Sequence, residues 1–232
     1  MSLALRTAAL ALLAATASAP AWAFSFTSSS YTTSATATAE GLTDSLADSS
    51  ATTPLPLQTL ANAAGLQDFA NATAVAEEGL LTATTYADSL GAAAGAEAQV
   101  RFVGSFADSG RLRFSFDFGS DASASGGSTS GLLTVLITSS LNGSSSTLLS
   151  RSIATTGSQS FEFTLAAGSV STLDLQLLSN AATTGLGQSA QHFAQAGFAV
   201  AAVPEPGTWA LMALGLAGLA WRVRRPSGGS AA

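Results

Sequence analysis

The chain has 232 residues, 47% of them hydrophobic and only 9% charged, against roughly 25% charged in an ordinary globular domain. Its eight cations are all arginine and its 14 acids leave a net charge of −6, so no cationic surface exists to neutralise phosphates and nucleic acid is not an expected partner. Zero cysteines and one histidine exclude a disulfide scaffold, a thiol nucleophile, thiolate zinc, iron–sulfur clusters and a multi-histidine metal site within one chain.

Residues 1–23 read as a secretory signal peptide. Arg6 supplies a short positive region, and Thr7 to Ala17 an apolar stretch of Ala and Leu. Ala21-Trp22-Ala23 is the small-x-small site that signal peptidase accepts, and Pro20 breaks any helix before it. Cleavage after Ala23 predicts a mature start at Phe24.

Residues 24–202 read as one ectodomain. It holds all 12 phenylalanines and no tryptophan or methionine. Four arginines stand against 13 acids there, so this part is more acidic than the whole chain. From its start, Thr32 to Glu40 and Phe69 to Glu77 alternate small residues, as strands do. Leu57 to Ala70 is rich in alanine and competes as one or two helical turns, though strands are the preferred reading. Asp44 to Thr53 is polar and reads as a loop closed by Pro54 and Pro56.

Further on, Phe114-Ser-Phe116-Asp-Phe118, Phe161-Glu-Phe163-Thr-Leu165 and Leu173-Asp-Leu175-Gln-Leu177 alternate without a slip. Their Phe and Leu residues are predicted inward. Val100 to Phe106, Leu132 to Thr138, Thr147 to Ile153 and His192 to Val200 are further strands. Turns fall at Asp108-Ser109-Gly110, Asp121 to Gly131, Asn142-Gly143 and Thr156-Gly157. Short strands at this spacing, with no proline between Pro56 and Pro204, predict a mainly β fold: an antiparallel β-sandwich or jelly-roll-like ectodomain.

Residues with chemistry are few. His192 is the only imidazole, and no G-x-S-x-G provides a nucleophile turn; Gly127-Ser-Thr129-Ser-Gly131 has threonine at the centre. Beside Phe193, His192 reads as a strand residue facing solvent or a partner. Gly185-Leu-Gly187-Gln-Ser-Ala190 matches a degenerate dinucleotide fingerprint, but no βαβ pattern surrounds it and a strand-to-strand turn is the better reading. Asp108, Asp117 and Asp121 flank turns and are weak calcium candidates without an EF-hand or glycine-aspartate repeat. Glu77 and Glu78 are adjacent and would point to opposite faces of a strand, which is no acid/base pair. Asn71-Ala-Thr73 and Asn142-Gly-Ser144 fit the glycosylation sequon, a pattern that chance also supplies. No cofactor is expected.

Residues 203–232 have three parts. Val203-Pro204-Glu205-Pro206 comes first, its prolines holding the backbone extended and removing two donors. Residues 207–223 follow as an uncharged apolar run except for Arg222, long enough for about 25 Å of helix and so a short membrane span. Trp209 and Trp221 stand where interfacial rings belong. Arg222, Arg224 and Arg225 form the basic cluster that stops transfer and keeps the C-terminus cytoplasmic, within a basic and polar tail over 224–232.

This ordered triad of Pro-Glu-Pro box, apolar span and arginines resembles the PEP-CTERM sorting signal of exported bacterial proteins. The resemblance implies an exosortase substrate, exported through signal peptidase and held in the inner membrane by the C-terminal helix. Processing near the box would then release it to the cell surface or extracellular matrix, in association with exopolysaccharide and without catalytic activity. A carbohydrate-binding β-sandwich module, with calcium as an assisting ion, is the competing expectation. Sugar stacking would fall to Tyr31, Tyr86 and outward phenylalanines, because the tryptophans lie in the terminal segments.

Overall fold

Successive residues of a strand face opposite sides, so a strand with one apolar face must lay that face on another layer. A computed structural model of the protein describes residues 24–51, 56–106, 109–203 and 213–218. The described residues form twelve strands. The first six are β1 (Phe24–Ala39), β2 (Leu42–Ser50), β3 (Leu57–Ala64), β4 (Phe69–Glu77), β5 (Leu80–Asp88) and β6 (Ala93–Phe106). The second six are β7 (Gly110–Ser125), β8 (Ser128–Leu141), β9 (Ser144–Ile153), β10 (Gly157–Leu165), β11 (Val170–Ala182) and β12 (Ser189–Val203). Two six-stranded sheets result, ordered β2-β1-β6-β11-β8-β9 and β10-β7-β12-β5-β4-β3, with antiparallel ladders throughout.

The core between the sheets is graded in side-chain size. In β1, β3, β4 and β6 the inward positions are largely alanine: Ala35, Ala37, Ala61, Ala72, Ala74 and Ala96 are all buried. Such short side chains let the sheets approach, and Cα atoms of β1 come within 8 Å of those of β3 and β4. The other half is filled by Phe114, Phe116, Phe118, Leu133, Leu175 and Leu177. Phe161 and Phe163 are partly buried against the same core, and Phe116 stacks on Phe161 with ring centroids 6.0 Å apart. Each fully buried Phe or Leu contributes about 1.5–3 kcal/mol, several times what a methyl group supplies, so the large half carries most of the hydrophobic stabilisation.

Two segments differ from the sequence expectation. Residues 44–50 are not loop but most of β2, which pairs with β1 from Tyr31↔Ser50 to Ala39↔Leu42. β2 is an edge strand exposed along nearly its whole length, so its order comes from the ladder and leaves no apolar alternation to read. The broad turn expected over 121–131 shrinks to Gly126-Gly127, because Asp121 to Ala124 continue the ladder to β12 and Ser128 to Gly131 that to β11. Leu57 to Ala64 resolves as strand β3. At Asn142-Gly143 the expected tight hairpin is present, with φ of 52° and 80° in the left-handed region that an Asn-Gly pair tolerates.

Two stability predictions follow from the core. Phe116→Ala should cost about 3–5 kcal/mol in denaturant unfolding, since the ring is 3% exposed and its removal leaves a cavity in the core. Thr33 and Thr59 are buried among alanines with hydroxyls that find no partner. Thr59→Val should therefore leave stability unchanged or raise it by about 1 kcal/mol, whereas a loss of that size would show the hydroxyl to be paired.

Candidate functional site

β12 carries Ala190, His192, Ala194 and Ala196 on its inward face and Gln191, Phe193 and Gln195 on its outward face. His192 is thus buried at 2% exposure, not turned to solvent; its neighbour Phe193 takes the outward place. The parity with three inward alanines is the signal that marks it. Its Nδ1 lies 2.8 Å from Ser179 Oγ on β11, and its Nε2 lies 2.9 Å from Ser120 Oγ on β7. Ser179 in turn lies 3.0 Å from Thr85 Oγ1 on β5.

The imidazole therefore braces the two sheets through hydroxyls. Room for the ring comes from Gly131 on β8, where a Cβ would overlap His192 Cε1 and stand 2.7 Å from Nε2. Burial pushes the imidazole below its ordinary pKa, opposed by the Asp121 carboxylate. In a Ser-His-Asp arrangement a carboxylate holds the second ring nitrogen; here that place is taken by Ser179.

The acidic candidates are not gathered. Asp117 and Asp121 are outward residues of β7 four positions apart, about 13 Å along a strand, and Asp117 accepts a hydrogen bond from Ser158 Oγ at 2.7 Å. Asp108 lies outside the described residues. No group of three His, Asp or Glu suited to a metal ion occurs among the described residues. Glu77 ends β4 and Glu78 enters the following turn. Residues 185–188 do form a strand-to-strand turn, in which Gln188 Oε1 accepts from the Thr184 and Gly185 amides at 2.9 Å each.

Of the aromatic candidates, Tyr31 is 1% exposed and packs edge-on against Phe102, with centroids 5.9 Å apart, so it cannot serve as a sugar platform. Tyr86 does face outward, half-buried on the second sheet, 6.0 Å from the ring of Phe69. Burial and the neighbouring Asp88 carboxylate push its phenol up from its ordinary value, so it remains a neutral hydroxyl. Phe69 and Phe193 are outward on the same sheet and were not individually legible in the sequence, because strand register is non-local.

The two ends of the strand framework meet at one end of the molecule. Phe24 pairs with Phe106 and Val203 pairs with Arg111, while residues 107–109 join β6 directly to β7. Val203, the first residue of the Pro-Glu-Pro segment, is thus still in a ladder. Pro204, Glu205 and Pro206 lie outside the described residues, as do Ala21, Ala23, Arg222, Arg224 and Arg225. Within the expected span, residues 213–218 are helical, and no described helix is long and apolar enough to cross a membrane. The family model described as the PEP-CTERM protein-sorting motif matches residues 202–225. The chain carries a PEP-CTERM sorting motif.

This PEP-CTERM motif marks an exported protein for which an exosortase is the processing partner. It starts as β12 ends, so the fold and the sorting segment share only residues 202 and 203. No curated protein matches the chain. Among solved structures, one from infectious bursal disease virus, Gt strain, is matched over 84% of this chain and 73% of its own, at 10% identity and a TM-score of 0.17. A likeness that low carries no argument.

The buried histidine gives a pH prediction. Its folded pKa lies below the unfolded value near 6.5, so the unfolded chain binds the proton more readily and stability is lost as pH falls through that value. Thermal midpoints should drop between pH 7.5 and 5.5 in the native protein, and the drop should flatten in His192→Gln. Equal slopes would remove His192 from the account. Gly131→Ala should destabilise by about 1–3 kcal/mol at either pH, by crowding the ring.

Proposed function

We propose that the mature chain is a non-catalytic β-sandwich protein of the cell surface or extracellular matrix, retained there with exopolysaccharide. Signal peptidase opens the route out, the C-terminal apolar segment holds the chain at the membrane, and exosortase acts at or near Val203 to Pro206. The observation that carries this reading is the placement of β12. It is an inner strand, paired with β7 on one side and β5 on the other, and it ends at Val203 where the sorting motif has just begun. Processing beyond that point leaves twelve strands intact, as a sorted product needs.

A carbohydrate-binding module is the second reading, favoured by the outward rings of Phe69, Tyr86 and Phe193. Calcium assistance draws little support from Asp117 and Asp121, which stand apart on β7. Replacing Pro204, Glu205 and Pro206 together with alanine should trap the protein in the membrane fraction, whereas the native protein should co-fractionate with the polysaccharide matrix of the producing cells. Native protein recovered wholly as free solute in the medium would contradict matrix retention.

A further inference from the structure

The outer face of the second sheet carries three aromatic rings in a straight oblique row. Phe69 on β4 pairs with Asp88, Tyr86 on β5 pairs with Asn71 and with Gln191, and Phe193 on β12 pairs with Thr84 and with Asp121. Each ring is therefore one strand over and two residues along from the last. Diagonal neighbours of this kind stand about 7–8 Å apart, so the row runs about 15 Å across the sheet. Phe69 and Phe193 are 39% and 37% exposed, so their rings are open to a partner on this face.

What flanks the rings identifies what they would hold. Asp88 lies beside Phe69, Asn71 and Gln191 bracket Tyr86, and Asp121 lies beside Phe193, so every ring has a hydrogen-bonding group directly across a ladder. Rings that offer an apolar face next to amides and carboxylates match a sugar unit, which presents C–H bonds on its faces and hydroxyls around its rim. The charged groups in the row are both acids. The arginines of this face, Arg111 and Arg113, lie toward the β7 start and are both bound by Glu162 at 2.6 Å. An anionic polymer would meet like charge here, as would a second copy of this acidic chain.

We infer that the oblique row Phe69–Tyr86–Phe193, with Asp88, Asn71, Gln191 and Asp121 along its sides, is a binding strip for an uncharged polysaccharide chain. The inference rests on the matrix reading and gives it a contact surface. The glycan lies across the strands over several sugar units, each ring taking one sugar face. Multiple weak stacking contacts along one polymer give retention without a deep pocket.

Affinity electrophoresis of the full processed protein, in native gels cast with hydroxyethylcellulose, dextran or galactomannan and with anionic alginate as contrast, tests this. Retardation by at least one neutral polymer and free passage through alginate are expected. Tyr86→Ala and Phe193→Ala should each weaken the retardation at least fivefold, and Tyr86→Phe should keep it within twofold. Leu136→Ala, which removes a similarly exposed side chain from the outer face of the other sheet, should change nothing. Far-ultraviolet circular dichroism of each variant confirms that the β signal is kept. Free passage of the native protein through all three neutral gels overturns the strip, as does stronger retardation in alginate or an equal loss with Leu136→Ala. If the protein nevertheless stays with the matrix in cells, only the strip has failed; a protein retarded in the gels but absent from the matrix fails the retention reading instead.

Discussion

The period-two alternation of inward and outward side chains is the constraint from which the rest of this molecule follows. It allots the core-forming strands one face each to the space between the sheets, and the size of the residues there sets how closely the layers lie. Alanines on β1, β3, β4 and β6 bring the layers together, and phenylalanines and leucines on β7, β8 and β11 supply the apolar mass. The same alternation frees the opposite faces for other uses. On β12 it puts His192 between the sheets and Phe193 outside them, one residue apart in sequence and opposite in role.

A chain with so few charges has to use them economically. On the outer face of the first sheet, Thr32 donates to Gln99, Gln99 donates to Asp174 at 2.7 Å, and Arg101 closes on Asp174 at 2.6 Å, joining β1, β6 and β11. On the second sheet Arg111 and Arg113 share Glu162, and together they hold its carboxyl below the usual carboxylate range. Exposed pairs of this kind add little stability one by one. Their effect is to match neighbouring strands in register while the surplus of acids keeps the surface soluble. Inside, the His192 hydroxyl network does what few charged residues could do without a large desolvation cost: it ties both sheets at one fixed point.

Much of this was legible beforehand, for a physical reason. Stripes such as Phe114-Phe116-Phe118 and Leu173-Leu175-Leu177 announce both strand and inward face, because burial on one side is a local pattern. The Asn142-Gly143 hairpin was equally local, since only certain residues accept its left-handed backbone. β2 was hidden because an edge strand exposed on both faces needs no alternation. The inward turn of His192 was hidden by its polarity, although the alanines at 190, 194 and 196 share its parity. The loss of Tyr31 to the core, and the oblique row of Phe69, Tyr86 and Phe193, depend on which strands lie side by side, and spacing along the chain does not carry that. The sorting motif was legible because it is a pattern in the linear sequence, and the family model matches it over residues 202–225.

Fold and address overlap only at residues 202 and 203: the strands run from Phe24 to Val203, and the matched sorting motif covers 202–225. On the proposed route, the protein outside the cell has lost both terminal segments and keeps its sheets whole. Intact-mass and terminal-peptide analysis of the protein recovered outside the cell measures this directly. It should begin at Phe24 and end at or near Val203 to Pro206, without Arg222, Arg224 or Arg225. Extracellular protein that still carries Arg224 and Arg225 would contradict it.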